Sequence, residues 1–160
     1  AKSDSPIAQV LTAKMYIERA QDDTDYQKGA YWLNSAAKRN NLEAHYYLGK
    51  LHEQGIIGDG DDFETIKLYE IAASGGFVEA FYPSGRLINQ KIKSGYHFET
   101  KEKALAAAYF WLLLTKQTTA DSEKLVYSEK SLHELRQQLP AERVEALDKE
   151  AKEFLTKISQ

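Results

Sequence analysis

Apolar positions along this chain recur with the spacing of amphipathic helices, and the pattern itself repeats. From Asp25 the sequence reads DYQKGAYWLNSAAKRN, and from Asp61 it reads DDFETIKLYEIAASGG. Under this offset of 36 residues a large apolar residue falls on a large apolar residue, and an Ala-Ala pair falls on an Ala-Ala pair. A period of about 20 to 50 residues is the sequence signature of repeat proteins. The pattern therefore predicts stacked helical hairpins.

The same offset aligns three copies of a first helix. Two of its columns are Ala8, Ala44 and Ala80, and Met15, Leu51 and Leu87. A third copy of the second helix reads ALAAAYFWLLLTKQ from Ala104, and it arrives seven residues late. We expect the surplus in Lys91 to Lys103, which reads as a longer polar loop containing Ser94 and Gly95.

Beyond Gln117 the repeat stops, and two further amphipathic helices separated by Pro140 are expected to cap the stack. The predicted fold is all-α, a short right-handed α–α solenoid of about three hairpins with a C-terminal capping hairpin. We expect one domain over residues 1–160. Its predicted segments are 6–41 for repeat one, 42–76 for repeat two, 77–117 for repeat three with the inserted loop, and 118–160 for the cap.

The spacing resembles that of the Sel-one-like repeat family, a relative of the tetratricopeptide repeat with a 36-residue unit. The family pattern is roughly A-x-x-x-L-G-x-x-Y-x-x-G, then D-x-x-x-A-x-x-W-x-x-x-A-A-x-x-G. The matching residues are Ala44, Leu48, Gly49 and Gly55 in repeat two, and Asp25, Trp32, Ala36 and Ala37 in repeat one. His52 stands where Tyr is usual, Leu68 where Trp is usual, and Gly29 where Ala is usual. The resemblance covers about residues 8–117.

This resemblance implies a bacterial scaffold that binds other proteins through a concave face. Family members are commonly exported or envelope-associated, so the expected location is periplasmic or secreted. The family also includes receptors, secretion-linked immunity proteins and cysteine-rich β-lactamases, and the absence of cysteine argues against the last group. We expect a non-enzymatic adaptor or immunity protein without a cofactor. The alternative is a small hydrolase acting on cell-wall or antibiotic-like substrates.

Composition narrows the partner class. The formal net charge of −3 at pH 7 gives no basic excess, which argues against nucleic acid. The longest apolar run, near Ala104 to Leu114, is too short to cross a bilayer. The chain begins with Ala1 rather than Met, and residues 1–5 are polar, which fits either removal of a signal peptide or trimming of a longer chain.

The repeat period also predicts a partner-binding surface, because equivalent residues of the first helices form columns along a solenoid. One column is Val10, Tyr46 and Tyr82, and the next is Lys14, Lys50 and Arg86. Glu53 and Asn89 continue the surface without a common chemistry. Three cations beside two tyrosines would suit an acidic surface or peptide of a protein partner. The alternative interpretation is an ordinary helix face exposed to solvent, without a binding role.

Other candidate chemistry is weaker. His45 and His52 are seven residues apart on one predicted helix, but no further ligand completes a metal set. Asp59, Asp61 and Asp62 resemble part of a calcium loop without the bidentate Glu in register. No nucleophile motif of the G-x-S-x-G type is present, so we predict neither a catalytic residue nor a metal site. His97 in the inserted loop is interpreted as a contact residue.

Overall fold

Helix boundaries follow local sequence signals throughout the computed structural model, which describes residues 5–58 and 61–160. The helices run as follows: α1 Pro6–Glu18, α2 Asp23–Ala37, α3 Leu42–Glu53, α4 Asp62–Ser74, α5 Phe81–Lys93, α6 Lys101–Thr118, α7 Ser122–Arg136 and α8 Ala141–Ile158. A 3-10 turn, Val78–Ala80, precedes α5. No strand occurs in these ranges, so the predicted all-α class is confirmed.

Short polar side chains start several of these helices by accepting otherwise unpaired backbone N–H groups. The Asp22 carboxylate accepts from the Asp25 N–H, and the Asn41 side chain accepts from the Ala44 N–H. Asp61 and Asp121 begin α4 and α7 in the same way. At α1 Pro6 is in the first turn, and the Ser5 side chain forms no capping hydrogen bond.

The ends of α2 and α4 share one backbone conformation at repeat-equivalent positions. Asn40 has φ of 58° and Gly76 has φ of 93°, both in the left-handed region. The N–H of the following residue donates back into the helix in each case, from Asn41 to the Ala36 carbonyl and from Phe77 to the Ala72 carbonyl. Asn and Gly tolerate this conformation best, so the 36-residue period extends to the backbone.

The chain divides into two compact units, one ending at Phe77 and the other beginning at Val78. In the first unit α1 pairs with α2 and α3 with α4, and α2 also packs against α3. Its core is built mainly from Ala and Leu side chains. The buried members are Val10, Ala13, Ala30, Leu33, Ala36, Ala44, Leu48, Leu51 and Leu68. Trp32 is partly buried against this core.

The core of the second unit combines Ala and Leu side chains with a cluster of large aromatic rings. The buried Phe81 of α5 stacks on Trp111 of α6 with ring centroids 5.8 Å apart. Phe154 of α8 meets both rings edge-on, at 6.0 and 6.1 Å. The C-terminal hairpin therefore buries apolar surface against α5 and α6, and this packing stabilises the unit.

A polar contact adds to this packing. The Tyr109 hydroxyl on α6 donates to Asp148 of α8 at 2.8 Å, and it accepts from Arg136 of α7 at 2.9 Å. Arg136 also donates to the other Asp148 carboxylate oxygen at 3.2 Å. Burial is the main cause that raises the pKa of Tyr109. The phenol therefore stays protonated at neutral pH and acts as a hydrogen-bond donor.

The predicted inserted loop is shorter than expected. α5 continues to Lys93 and α6 begins at Lys101, so only residues 94–100 are non-helical. The sequence prediction was wrong at both ends because the lysines flanking this segment were assigned to a polar loop. Lys and Glu have high helix propensity, and here they extend the two helices instead.

Candidate functional site

Lysines and tyrosines of α1 and α3 form a compact cluster in the first unit. The Lys50 Nζ lies 5.8 Å from the ring centroid of Tyr46 and 5.6 Å from that of Tyr47. These contacts follow from helix geometry, because residues three and four apart share a face. Lys14 of α1 reaches the same group, with its Nζ 5.1 Å from the Tyr47 centroid. Tyr47 thus lies between two cations from different helices.

Lys14 is also paired with a carboxylate. Its Nζ donates to Glu43 at 3.1 Å, and both side chains are about one-third exposed. The hydrogen bond to Tyr47 is the largest cause of a raised Lys14 pKa, followed by the hydrogen bond to Glu43. Lys14 therefore stays charged, but Glu43 offsets part of its field. Lys50 is the less compensated of the two cations in this cluster.

Tyr46 belongs to an aromatic group that extends to the end of the first unit. Its ring contacts Tyr47, Tyr69 and Phe77 at centroid distances of 5.3, 6.0 and 5.2 Å. Tyr69 is buried, and its hydroxyl donates to Glu53 at 2.7 Å. Glu53 is thus held against the aromatic group, and the half-buried Tyr46 ring packs against the Tyr69 and Phe77 rings.

The second unit repeats the tyrosine–cation pair. Tyr82 and Arg86 of α5 occupy the places of Tyr46 and Lys50, and the Arg86 Cζ lies 5.9 Å from the Tyr82 centroid. Lys124 of α7 also reaches this ring, with its Nζ 5.8 Å from the centroid. Tyr127 packs edge-on against Tyr82 at 5.7 Å. Burial is the largest cause of a raised Tyr82 pKa, so the phenol is neutral at physiological pH.

A cleft of about 290 Å³ opens beside Tyr82. Its lining residues are Val78, Glu79, Tyr82, Thr115, Thr118, Thr119, Ala120, Asp121 and Lys124. The Thr115 and Thr118 hydroxyls donate to the carbonyls of Trp111 and Leu114 within α6. Their oxygens can accept further hydrogen bonds, but neither hydroxyl is paired with a base that would activate it as a nucleophile.

Two of the predicted surface residues lie inside the protein. Val10 is 1% exposed in the core of the first unit, and Asn89 is 1% exposed in the second. The Asn89 side-chain amide donates to the Tyr127 hydroxyl at 3.4 Å. Val10 is too short to emerge where Tyr46 and Tyr82 do, and α7 covers Asn89. These two residues support the surface rather than form it.

The structure brings together residues that the periodic argument did not select. Tyr47 and Glu43 join Lys14 and Lys50 in the first unit, and Lys124 and Tyr127 join Tyr82 in the second. Tyr47 adjoins a predicted site residue and could have been found from its i, i+3 spacing to Lys50. Lys124 and Tyr127 lie outside the repeat, so the period carries no signal for them.

The inserted loop forms a second, smaller feature. Tyr96 and Phe98 pack edge to face with centroids 5.0 Å apart. They line a cleft of about 230 Å³ with Ile92, His97 and Lys101. This arrangement keeps two aromatic rings near the surface, and Tyr96 is 41% exposed.

The histidine and aspartate candidates for metal binding take part in local packing and helix capping. His45 Nδ1 lies 2.9 Å from the Asn41 carbonyl, and His52 packs beside Gly58. Asp61 caps α4, while Asp59 lies outside the described residues. In ranges 5–58 and 61–160, no group of three or more His, Cys, Asp or Glu side chains is arranged to hold a metal ion.

Over the same residues, none of the helices has the length and apolar character needed to cross a membrane.

Comparison with known proteins finds two curated relatives that are much longer than this chain. No protein-family model matches the sequence. The alginate biosynthesis protein AlgK of Azotobacter vinelandii is 30% identical over 141 residues, which cover 86% of this chain and 27% of the relative. AlgK of Pseudomonas syringae pv. tomato is 28% identical over 88 residues, covering 55% and 18%. The chain thus spans about a quarter or less of the length of these curated relatives.

A solved structure shares the fold. The protein c5321, described as a protective antigen present in uropathogenic Escherichia coli strains displaying a Sel-one-like repeat (SLR) fold, aligns with a TM-score of 0.69 at 16% identity. The alignment covers 96% of this chain and 30% of that chain. At this identity the likeness concerns the fold alone. It confirms the repeat fold that the sequence resemblance predicted.

Proposed function

We propose that this chain, which has the Sel-one-like repeat fold, is a non-enzymatic scaffold that binds a partner protein. The observation that carries the proposal is the recurrence of one surface pair, Tyr46 with Lys50 and Tyr82 with Arg86, at equivalent positions of two repeats. In both pairs the cation lies over the tyrosine ring. Each unit therefore offers the same kind of contact to a partner.

The chemistry of the pair suits protein recognition. Tyrosine and arginine are enriched among interface residues that contribute most to affinity, because they provide large contact areas and directional hydrogen bonds. A ring that already holds its cation also reduces the ordering cost of binding. Lys50 and Arg86 favour an acidic surface or peptide on the partner, with Lys14 in a lesser part because Glu43 is paired with it.

The relatives support a role in the biosynthesis of a polysaccharide. Both curated relatives are described as alginate biosynthesis proteins. We propose that this chain acts in the periplasm or outside the cell. Its role there would be that of an adaptor that helps to assemble a protein complex for polysaccharide biosynthesis or for a similar process of the cell envelope. A secretion-linked immunity protein is the alternative among binding functions, and the identity of the captured partner distinguishes the two.

The alternative function, a hydrolase, has less support from the cleft beside Tyr82. Hydrolysis by a nucleophile requires a hydroxyl or thiol within hydrogen-bond reach of a base. In the cleft beside Tyr82, the Thr115 and Thr118 hydroxyls are bonded to helix carbonyls, and the Thr119 oxygen accepts the Asp121 N–H. The three threonine hydroxyls of this cleft therefore serve helix structure.

The test is capture of a partner by the intact chain from an extract of the source organism, followed by measurement of the dissociation constant. The variant Lys50→Glu with Arg86→Glu reverses both surface cations. Its matched control, Lys149→Glu with Arg143→Glu, reverses one lysine and one arginine on α8, whose side chains are 79% and 40% exposed. Circular dichroism verifies that both variants keep the helical content of the parent.

We expect the surface variant to bind at least about tenfold more weakly, because two charges change sign in the contact. The α8 control should bind as the parent does. Equal affinity of the surface variant and the parent would remove Lys50 and Arg86 from the contact. Loss of binding in the α8 control alone would place the site on the C-terminal hairpin.

A further inference from the structure

The first helix leaves apolar side chains exposed at positions that the next repeat buries. Met15 of α1 is 54% exposed, whereas its repeat equivalent on α3, Leu51, is 2% exposed. Leu51 and Leu48 lie in the core that α3 shares with α2. The equivalent of Leu48 on α1 is Thr12, which is only partly buried. In the part of the chain that the structure describes, α1 therefore exposes the face that on α3 belongs to the core.

The exposed face of α1 carries a continuous apolar ridge. Ile7, Leu11 and Met15 follow one another at four-residue spacing, so their side chains form one row along the helix. All three are more than half exposed, and none carries a charge. Such a row is typical of a helix surface that packs against another helix. A cleft of about 470 Å³ adjoins the ridge and is lined by Thr12, Met15, Tyr16, Arg19 and Asp25.

The packing of α2 on α3 indicates which element fits this ridge. The core between them is formed by small and aliphatic residues of α2, among them Ala30 and Ala36. The chain also enters the two first helices in the same way, because Ser5 before α1 has φ of −76° and ψ of 127°, and Asn41 before α3 has φ of −74° and ψ of 116°. A repeat hairpin placed ahead of α1 would therefore present its second helix to the ridge, as α2 does to α3.

A second copy of this chain is poorly suited to supply that helix. The second helices of its three repeats, α2, α4 and α6, already bury their core positions within the copy itself. Using these residues at the ridge would require the copy to open its own core. The equivalent buried residues are Leu33 and Ala36 in α2, Tyr69 and Ala72 in α4, and Leu112 and Thr115 in α6.

We infer that the ridge of Ile7, Leu11 and Met15 binds a Sel-one-like helical hairpin of a different protein, whose second helix packs on α1 as α2 packs on α3. This inference goes beyond the proposed function, because it adds an apolar contact that does not involve the Tyr46–Lys50 pair. The driving force is burial of the ridge, so binding here should depend little on salt.

A fused repeat tests the ridge within the intact chain. Residues 1–40 are joined to residue 5 of the full chain, which adds one 36-residue repeat ahead of α1 and brings a copy of α2 to the ridge. Met15 is the only methionine of the sequence, and the added copy carries Met15→Leu, so one methionine reports on the ridge. Mass spectrometry follows the oxidation of Met15 by hydrogen peroxide, because the rate depends on exposure of the thioether.

We expect Met15 to be oxidised at least about fivefold more slowly in the fusion than in the parent, because the added helix excludes the oxidant. Leu11→Lys in the receiving α1 should restore the rate of the parent, since it places a charge in the apolar contact. The matched control is Phe63→Lys on α4, which replaces a side chain that is 59% exposed and should leave Met15 protected. Circular dichroism of the unfused Leu11→Lys chain should show the helical content of the parent, because Leu11 is exposed there.

Equal oxidation rates in the fusion and the parent would overturn the inference, and so would protection that survives Leu11→Lys. Analytical ultracentrifugation of the parent tests the other occupant. We expect a monomer, whereas self-association that Leu11→Lys abolishes would make a second copy the occupant and overturn the inference. Lys50→Glu with Arg86→Glu leaves the ridge intact, so failure of this test leaves the proposed scaffold function to be decided by its own experiment.

Discussion

Each unit carries a tyrosine that contacts two cations, but the two tyrosines are not at equivalent positions. In the first unit Tyr47 contacts Lys50 of its own helix and Lys14 of the preceding repeat. In the second, Tyr82, which is the equivalent of Tyr46, contacts Arg86 of its own helix and Lys124 of a helix outside the repeat. The cation on the same helix follows from the repeat period, whereas the second cation depends on which helix packs alongside.

The cores of the two units share small and aliphatic residues and differ in one addition. Both units bury Ala and Leu side chains. The second unit adds a cluster of three aromatic rings, Phe81, Trp111 and Phe154, through which α8 packs against α5 and α6. The repeat does not supply α8, so this cluster is a contact between repeat and non-repeat helices.

The largest expected effect comes from truncating the aromatic core. Phe81→Ala removes a fully buried ring that contacts Trp111 and Phe154, and we expect a loss of about 3 to 5 kcal/mol in the free energy of unfolding. Leu33→Ala in the first unit should cost less, toward the lower end of about 2 to 5 kcal/mol, because a smaller side chain is removed. Urea unfolding measures both, and an equal or larger cost for Leu33→Ala would contradict the contrast.

A smaller effect tests how closely the helices approach in each unit. A Cβ on Gly85 would lie 2.7 Å from the Leu112 Cγ and 2.9 Å from the Leu112 backbone nitrogen, whereas on the equivalent Gly49 it would meet the Tyr69 ring at 2.9 Å. Backbone cannot yield as a side chain can, so Gly85→Ala should cost about 1 to 3 kcal/mol.

Gly49→Ala should cost less, toward the lower end of about 1 to 3 kcal/mol, because alanine also gains helix propensity and the obstacle is a side chain rather than backbone, while the buried and hydrogen-bonded Tyr69 ring still resists displacement. Thermal and urea unfolding of the two variants give the comparison directly. A cost for Gly49→Ala that exceeds the cost for Gly85→Ala would mean that the Tyr69 ring is the more rigid obstacle.

The smallest effect concerns pH. Hydrogen bonds from the α7 backbone lower the pKa of Asp121 below its usual 3.8, and a hydrogen bond from Lys28 is the main cause that lowers the pKa of Asp25. A carboxyl with a depressed folded pKa stabilises the fold above its unfolded pKa, and this stability is lost as the pH falls through the folded pKa.

We therefore expect melting temperature to decline below about pH 4, and to decline less in Asp121→Asn, whose amide oxygen can still accept the capping bonds. Asp25→Asn provides the same measurement in the first unit. Melting temperatures at pH 3, 5 and 7 check both variants. An identical pH dependence of Asp121→Asn and the parent would show that the cap charge contributes nothing.

Most of the fold could be predicted from the sequence because a repeat protein shows the pattern of each helix several times. The 36-residue offset even aligns Asn40 with Gly76, which share a left-handed helix end. The loop length was not accessible, since lysines are compatible with both a polar loop and a helix end. The prediction for residues 91–103 failed for that reason.

The candidate surface was predictable only in part. The period selected Tyr46, Lys50, Tyr82 and Arg86, but it also selected Val10 and Asn89, which are buried. A column of equivalent residues shares backbone position, yet exposure depends on side-chain length and on what covers the helix. For the same reason Lys124 could not be found, because its place on Tyr82 is a tertiary contact between a repeat and a non-repeat helix.

The two tryptophans of the chain fall one in each unit, with Trp32 partly buried beside the Ala–Leu core and Trp111 enclosed by aromatic rings. Each unit thus contains its own intrinsic fluorophore. Replacing either tryptophan with phenylalanine leaves tryptophan emission from a single unit, so the order in which the two halves of the chain lose structure becomes an optical measurement that needs no added label.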